Sequence, residues 1–220
     1  IYEDKFSNLR AGYTYMTGHP GKKLLFMGQD FGQVREWSEE RELDWYLLGT
    51  ELNKKLQDYV RDLWHLYEKY PALYATDYDS NGFEWINADD ASRSIYSFVR
   101  KSKDGKDNLL FVLNMTPVAY PDYRCGCLTK GTYKLLMNSM DPKYGGTEDT
   151  ARSKTSYTSE KAECDGKPYS IAYDLPGYGC AVFVYQNEKK TAKPAVAKTV
   201  KPAVKKDEKA QVKKPAVKKK

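Results

Sequence analysis

Four consecutive apolar residues, Leu24-Leu25-Phe26-Met27, stop at Gly28 and give way to a polar and aromatic loop. A run this short, without alternation, is the pattern of a strand buried on both faces. The residues that follow are Gln29-Asp30-Phe31-Gly32-Gln33, then Glu36-Trp37 and Leu43-Asp44-Trp45. A buried parallel strand whose C-terminal end carries polar and aromatic side chains is how an α/β barrel places a ligand site. The run therefore predicts a barrel strand, with its site in the loop beyond it.

The flanking segments fit that order. Phe6, Leu9, Tyr13 and Met16 recur at helical spacing, which predicts a helix with these residues on its buried face. Gly18 and Pro20-Gly21 should end it. After the loop, Thr50 is a candidate N-cap, and Leu52, Leu56, Tyr59, Val60, Leu63, Leu66 and Tyr70 line a second helix that Pro71 terminates. From Phe83 onward the pattern changes to strands, at Ser94–Arg100, Leu109–Leu113, Thr132–Met137, Ile171–Leu175 and Cys180–Tyr185. Short strands with turn signals and no helix between them indicate an antiparallel sandwich. Residues 141–167, rich in Gly, Ser, Thr and charge, read as a loop.

Charge divides the chain sharply. Lys189–Lys220 holds 13 lysines against Asp207 and Glu208, a net of +11, which leaves residues 1–188 at −5 within the total of +6. The basicity is thus confined to the tail and gives the body no docking face for nucleic acid. The tail repeats Lys-Pro-Ala-Val at 193–196, 201–204 and 214–217 and lacks aromatics. It cannot bury enough apolar surface to offset chain entropy, so it is expected to be disordered. Its plain reading is a solubilising tether. Its sharper one is weak, salt-sensitive contact with polyanions.

Cys125-Gly126-Cys127 lacks zinc-knuckle spacing, and Cys164 and Cys180 stand apart. Reduced thiols in a cytoplasmic protein are the better reading. There is no run of 18 apolar residues, so no helix is expected to span a membrane. Neither His19 nor His65 belongs to a nucleophile triad, and no phosphate-binding glycine pattern occurs.

The order and spacing of Asp4-Lys5-Phe6-Ser7-Asn8-Leu9-Arg10, the apolar run, Leu43-Asp44-Trp45 and Gly82-Phe83-Glu84-Trp85 resemble the 1,4-α-glucan (glycogen) branching enzymes of the α-amylase superfamily. The resemblance covers residues 4–185. It implies that residues 1–78 are the last unit or units of a (β/α)8 TIM barrel, 79–187 an all-β antiparallel sandwich, and 188–220 the basic tail. It also implies an enzyme of glycogen metabolism that moves an α-1,4-glucan segment to a 6-hydroxyl by a retaining double displacement, which needs a nucleophilic carboxylate and a second acid/base carboxyl. In the family these carboxylates precede the segment that Ile1 opens. The chain is therefore expected to be a C-terminal portion, inactive alone, with no catalytic residue, metal or cofactor of its own. Its apolar run and helices, lacking their barrel partners, are expected to make it poorly soluble.

The expected substrate contacts are Gln29, Asp30, Glu36, Trp37 and Trp45, where carboxylate and amide oxygens meet sugar hydroxyls and indole faces meet the apolar face of glucose. Ordinary loop and core packing explains the same residues without a ligand. A free-standing glucan-binding module, stacking sugar on Trp37, Trp45 or Trp85, is the competing reading. A tail-borne nucleic-acid association is the third.

Overall fold

Leu109–Asn114 (β3) is buried at every position, and Cys180–Gln186 (β8) at every position except Gln186. A strand in a two-layer sandwich alternates buried and open positions, so these two must be covered on both faces. The computed structural model, which describes residues 2–147 and 154–186, shows what covers them. Phe83–Asp90 (β1), Ile95–Arg100 (β2), β3, Tyr120–Cys127 (β4), Thr132–Asn138 (β5), Ser156–Thr158 (β6), Tyr169–Leu175 (β7) and β8 form two sheets. The larger has the order β1-β2-β3-β8-β5-β6, and the smaller pairs β4 with β7. All of these pairings are antiparallel.

One face of the large sheet packs on the small one. Val99, Leu110, Val112 and Phe183 meet Cys125, Cys127, Ile171 and Tyr173 there. The opposite face, with Phe98, Phe111, Leu113 and Val182, packs on Ala11, Tyr59, Leu63 and Leu66 of two helices, Tyr2–Gly18 (α1) and Glu51–Lys69 (α2). The layers are thus helices, large sheet and small sheet. Both helices assigned to a barrel share a core with the sandwich, and residues 1–188 cluster as one unit, so the packing has no break at residue 78.

The buried barrel strand is not formed. Lys23–Met27 has no strand pairing, and Leu24, Phe26 and Met27 are 73%, 42% and 47% exposed. A strand needs neighbours to take its backbone N–H and C=O groups and cover its side chains, and none of the eight described strands lies beside this run. The face of α1 also differs from the expected one. Phe6 is buried, but the rest of the buried stripe is Ser7, Arg10, Ala11, Thr14, Thr17 and Gly18, while Leu9, Tyr13 and Met16 are half-buried. Small and hydroxyl residues let α1 approach the sheet closely. Arg10 is fully buried because its guanidinium donates to Ser139 O (2.7 Å), Tyr144 O (2.9 Å) and Ser7 Oγ (3.0 Å).

Three strands, β1, β4 and β6, escaped the sequence pattern. β4 contains Pro121, Asp122 and Gly126, poor strand formers, and a bulge between Tyr120 and Tyr123 with Asp122 at φ 49°. β6 is a three-residue edge strand inside the segment read as loop. The tail expected to be disordered lies outside the described residues.

Candidate functional site

Gly28, at φ 84°, starts a tight turn in which Gln33 N–H donates to Gly28 O at 2.9 Å. A Cβ at Gly28 would lie 2.9 Å from Gln33 Cβ, so both the angle and the space call for glycine. A single 3-10 turn, Gln29–Phe31, follows and ends at Gly32 (φ 70°). The Gln29 side chain folds back to accept from Phe26 N–H at 2.9 Å. Asp30 accepts at Oδ2 from Gln57 Nε2 of α2, 3.0 Å away. Gln29 and Asp30 are therefore neighbours on one turn held against the helices.

The tryptophans are fixed on the same loop. Trp37 is 39% exposed and sits edge-on to Phe26, with centroids 5.2 Å apart. Trp45 is 50% exposed and leans on Phe31, 5.3 Å away. Each indole is backed by a phenylalanine and keeps a large open surface. Behind them, Gln33 accepts from Asp44 N–H (2.8 Å) and donates to Arg35 O (3.0 Å). Arg35 grips the buried Asp44 carboxylate with two nitrogens, Nε at 2.9 Å, and this hydrogen bond holds that carboxyl below the usual range. Glu36 stands apart: it is exposed and meets Arg41 through its backbone carbonyl.

An open groove of about 440 Å³ runs beside the turn, lined by Lys23–Met27, Asp30 and Trp64. Trp64 and Gln57 were not singled out from the sequence. Their signal was present: they lie seven residues apart on α2, hence on one helix face, yet off its apolar stripe. Trp85, by contrast, packs within 5.1 Å of Phe83 and 5.5 Å of Phe98, as part of the aromatic cluster that includes His19.

Lys23, on the groove's lining, is half-buried. Burial, opposed by Asp77 and reinforced by Arg100, brings its ammonium down to about 8. The folded state then gives up the Lys23 proton near pH 8, while the unfolded chain holds it up to about 10.4. The unfolded state binds more protons between those values, so this group's contribution to stability rises with pH across that window. Lys23→Met should stabilise the chain below pH 8, by about 1 kcal/mol after discounting for solvent, and the gain should vanish above pH 11. Urea midpoints of both chains at pH 7 and pH 11 check it.

Burial raises the Cys127 and Cys180 thiols to about 12, and half-buried Cys164 to about 11. They stay protonated at neutral pH and are poor nucleophiles. Among the described residues no cluster of His, Cys, Asp or Glu is arranged to hold a metal, and no helix is long and apolar enough to cross a membrane.

What remains is a groove with the Asp30 carboxylate on its lining and, on the same loop, two partly exposed indoles, residue types that suit a sugar chain. Residues 85–186 match the family "Alpha amylase, C-terminal all-beta domain". The chain is 56% identical over 186 residues to a 1,4-alpha-glucan branching enzyme GlgB of Butyrivibrio fibrisolvens, covering 84% of this chain and 29% of that protein. The GlgB of Gloeobacter violaceus is 43% identical over 185 residues, covering 84% of the chain and 25% of its own length. The chain belongs to the 1,4-alpha-glucan branching-enzyme family. It spans under a third of the length of these relatives and carries the family's C-terminal all-beta domain. The crystal structure of Ttha1563 from Thermus thermophilus superposes with a TM-score of 0.56 at 16% identity, covering 81% of this chain and 31% of that one, a likeness of fold alone.

Proposed function

We propose that this chain supplies one wall of the glucan cleft in a cytoplasmic branching enzyme of glycogen synthesis, and that it performs no chemistry alone. The enzyme cleaves an α-1,4-glucan and passes the freed segment to a 6-hydroxyl. Residues 1–78 close a (β/α)8 barrel whose other strands lie in the rest of the enzyme, and the sandwich of 79–187 braces that end. The single observation that carries this reading is the loop beyond Met27, where Asp30 sits on a helix-held turn ahead of Trp37 and Trp45 in sequence, in a chain 56% identical to a branching enzyme. Gln29 and Asp30 bind sugar hydroxyls, and Trp37 and Trp45 stack on glucose rings. Glu36, turned to solvent, is the outermost contact. The retaining reaction needs two carboxyl groups about 5 Å apart across one glycosidic bond. They are assigned to the remainder of the enzyme. The basic tail adds weak, salt-sensitive contact with polyanions.

The test is direct. The purified chain, incubated with amylose, should leave the iodine-stained absorbance unchanged and create no branch points, yet bind maltoheptaose by calorimetry. Trp45→Ala should weaken that binding about tenfold, the scale of one lost aromatic platform. Branching by the pure chain would overturn the assignment and make Asp30 and Glu36 the first residues to mutate. Absence of glucan binding would remove the substrate role of the loop.

A further inference from the structure

The turn that carries Gln29 and Asp30 has little to hold it in place by itself. It is one 3-10 turn between two glycines of positive φ, and such short turns have poor hydrogen-bond geometry. Its rigidity must come from outside. Three helical side chains reach it on consecutive residues. Tyr13 of α1 donates to Gln29 O at 2.7 Å. Gln57 of α2 donates to Asp30 Oδ2 at 3.0 Å. Asn53 of α2 donates to Phe31 O at 2.7 Å and to Gly32 O at 3.3 Å.

We propose that Tyr13, Asn53 and Gln57 act as a clamp that fixes the glucan-binding turn, with Gln57 as the positioning residue that aims the Asp30 carboxylate into the groove. This rests on the glucan reading of the loop. Each member suits its place. Asn53 is buried, and its amide is oriented by Thr50 Oγ1, which donates to Asn53 Oδ1 at 2.5 Å. The Tyr13 hydroxyl is raised to about 12, first by burial and then by Asp30, so it remains a donor at every working pH. Gln57 is neutral. It occupies one carboxylate oxygen without cancelling the charge, and Asp30 Oδ1 has no hydrogen-bond partner among the described residues. A glucose hydroxyl can donate to it. A lysine at 57 would hold the carboxylate as well but neutralise it; a methionine would fill the same space and hold nothing.

Those two substitutions make the test. Amide exchange by mass spectrometry across residues 28–33, in the whole 220-residue chain, reads the clamp directly. Maltoheptaose calorimetry on the same samples reads its use. Gln57→Met should speed exchange of this segment about fivefold or more and weaken binding about five- to tenfold, the scale of one hydrogen bond to a charged group. Gln57→Lys should restore slow exchange. In an Asp30→Ala background, Gln57→Met should weaken binding no further, because its effect passes through Asp30. Wild-type exchange and affinity in Gln57→Met would overturn the proposal, as would an undiminished loss in the Asp30→Ala background. A wild-type chain that binds no maltoheptaose sinks the glucan reading instead, and the exchange rates still decide the clamp.

Discussion

Asp77→Ala is expected to destabilise the chain by about 3–5 kcal/mol, one of the two largest losses from any single substitution. Arg100, the last residue of β2, is fully buried. Its guanidinium donates to Asp77 Oδ1 at 2.5 Å and to Gly18 O at 2.9 Å. Those partners come from the segment after α2 and from the end of α1, so one side chain ties both helical ends to the sheet. Its Nε has no partner, which leaves Asp77 as the compensation for the buried charge. Removing the carboxylate strands a guanidinium in the interior. Removing both members together is less harmful, because the double variant Asp77→Ala/Arg100→Met takes away the desolvation cost along with the pair, whereas Arg100→Met alone strands the Asp77 carboxylate, whose side chain is 4% exposed. At 2–4 °C per kcal/mol for a unit this size, Asp77→Ala should lower Tm by about 6–20 °C, and the double variant Asp77→Ala/Arg100→Met by clearly less. Urea unfolding monitored by far-ultraviolet dichroism measures both. A loss below 1 kcal/mol for Asp77→Ala would show that water reaches Arg100.

The elements legible in the sequence are those whose pattern is local. The stripe from Leu56 to Leu66 reads as a helix because its period matches the buried face of α2. β2, β3, β5, β7 and β8 read as strands through their β-branched and aromatic residues. The misreadings share a different cause, which is that burial is decided by partners elsewhere in the chain. Leu24–Met27 carries the composition of a buried strand, but no neighbouring strand pairs with it here. Arg10 looks like a surface charge, and only the carbonyls of Ser139 and Tyr144, 129 and 134 residues away, make it a core residue. β3 and β8 have the continuous apolar runs of strands covered twice, which was a readable sign of a third layer.

The candidate site was legible in its chemistry and not in its support. Gln29, Asp30, Trp37 and Trp45 stand out by residue type after Gly28. Tyr13 and Asn53 do not, because a hydrogen bond across 16 to 22 residues leaves no local trace, and Gln57 shows only through its place on the Trp64 face of α2. Glu36 shows the converse: its residue type suited a site, yet its side chain faces solvent.

Phe111→Ala should cost about 3–5 kcal/mol and should unfold helices and sandwich together. Phe111 stacks on Phe98 with ring centroids 4.9 Å apart, at the centre of the sheet face that α1 and α2 cover. The last residue of α1 rests on this pair. A Cβ at Gly18 would lie 2.7 Å from Phe111 Cε1 and 2.9 Å from Phe98 Cζ, distances that force the rings to move. Gly18→Ala should therefore destabilise by overpacking, by about 1–3 kcal/mol, although alanine is the better helix former. The two defects are complementary in shape: one adds a methyl where the other opens a cavity. The double variant should be more stable than the sum of the single losses implies, with a coupling of about 1 kcal/mol or more. Far-ultraviolet dichroism follows the helices, and near-ultraviolet dichroism follows the tyrosines of the sandwich core. Their transitions should coincide in every variant, because the two layers bury one another. Additive losses, or a helical signal that survives melting of the tyrosine signal, would show that residues 2–78 fold apart from the sheet, against the shared core described above.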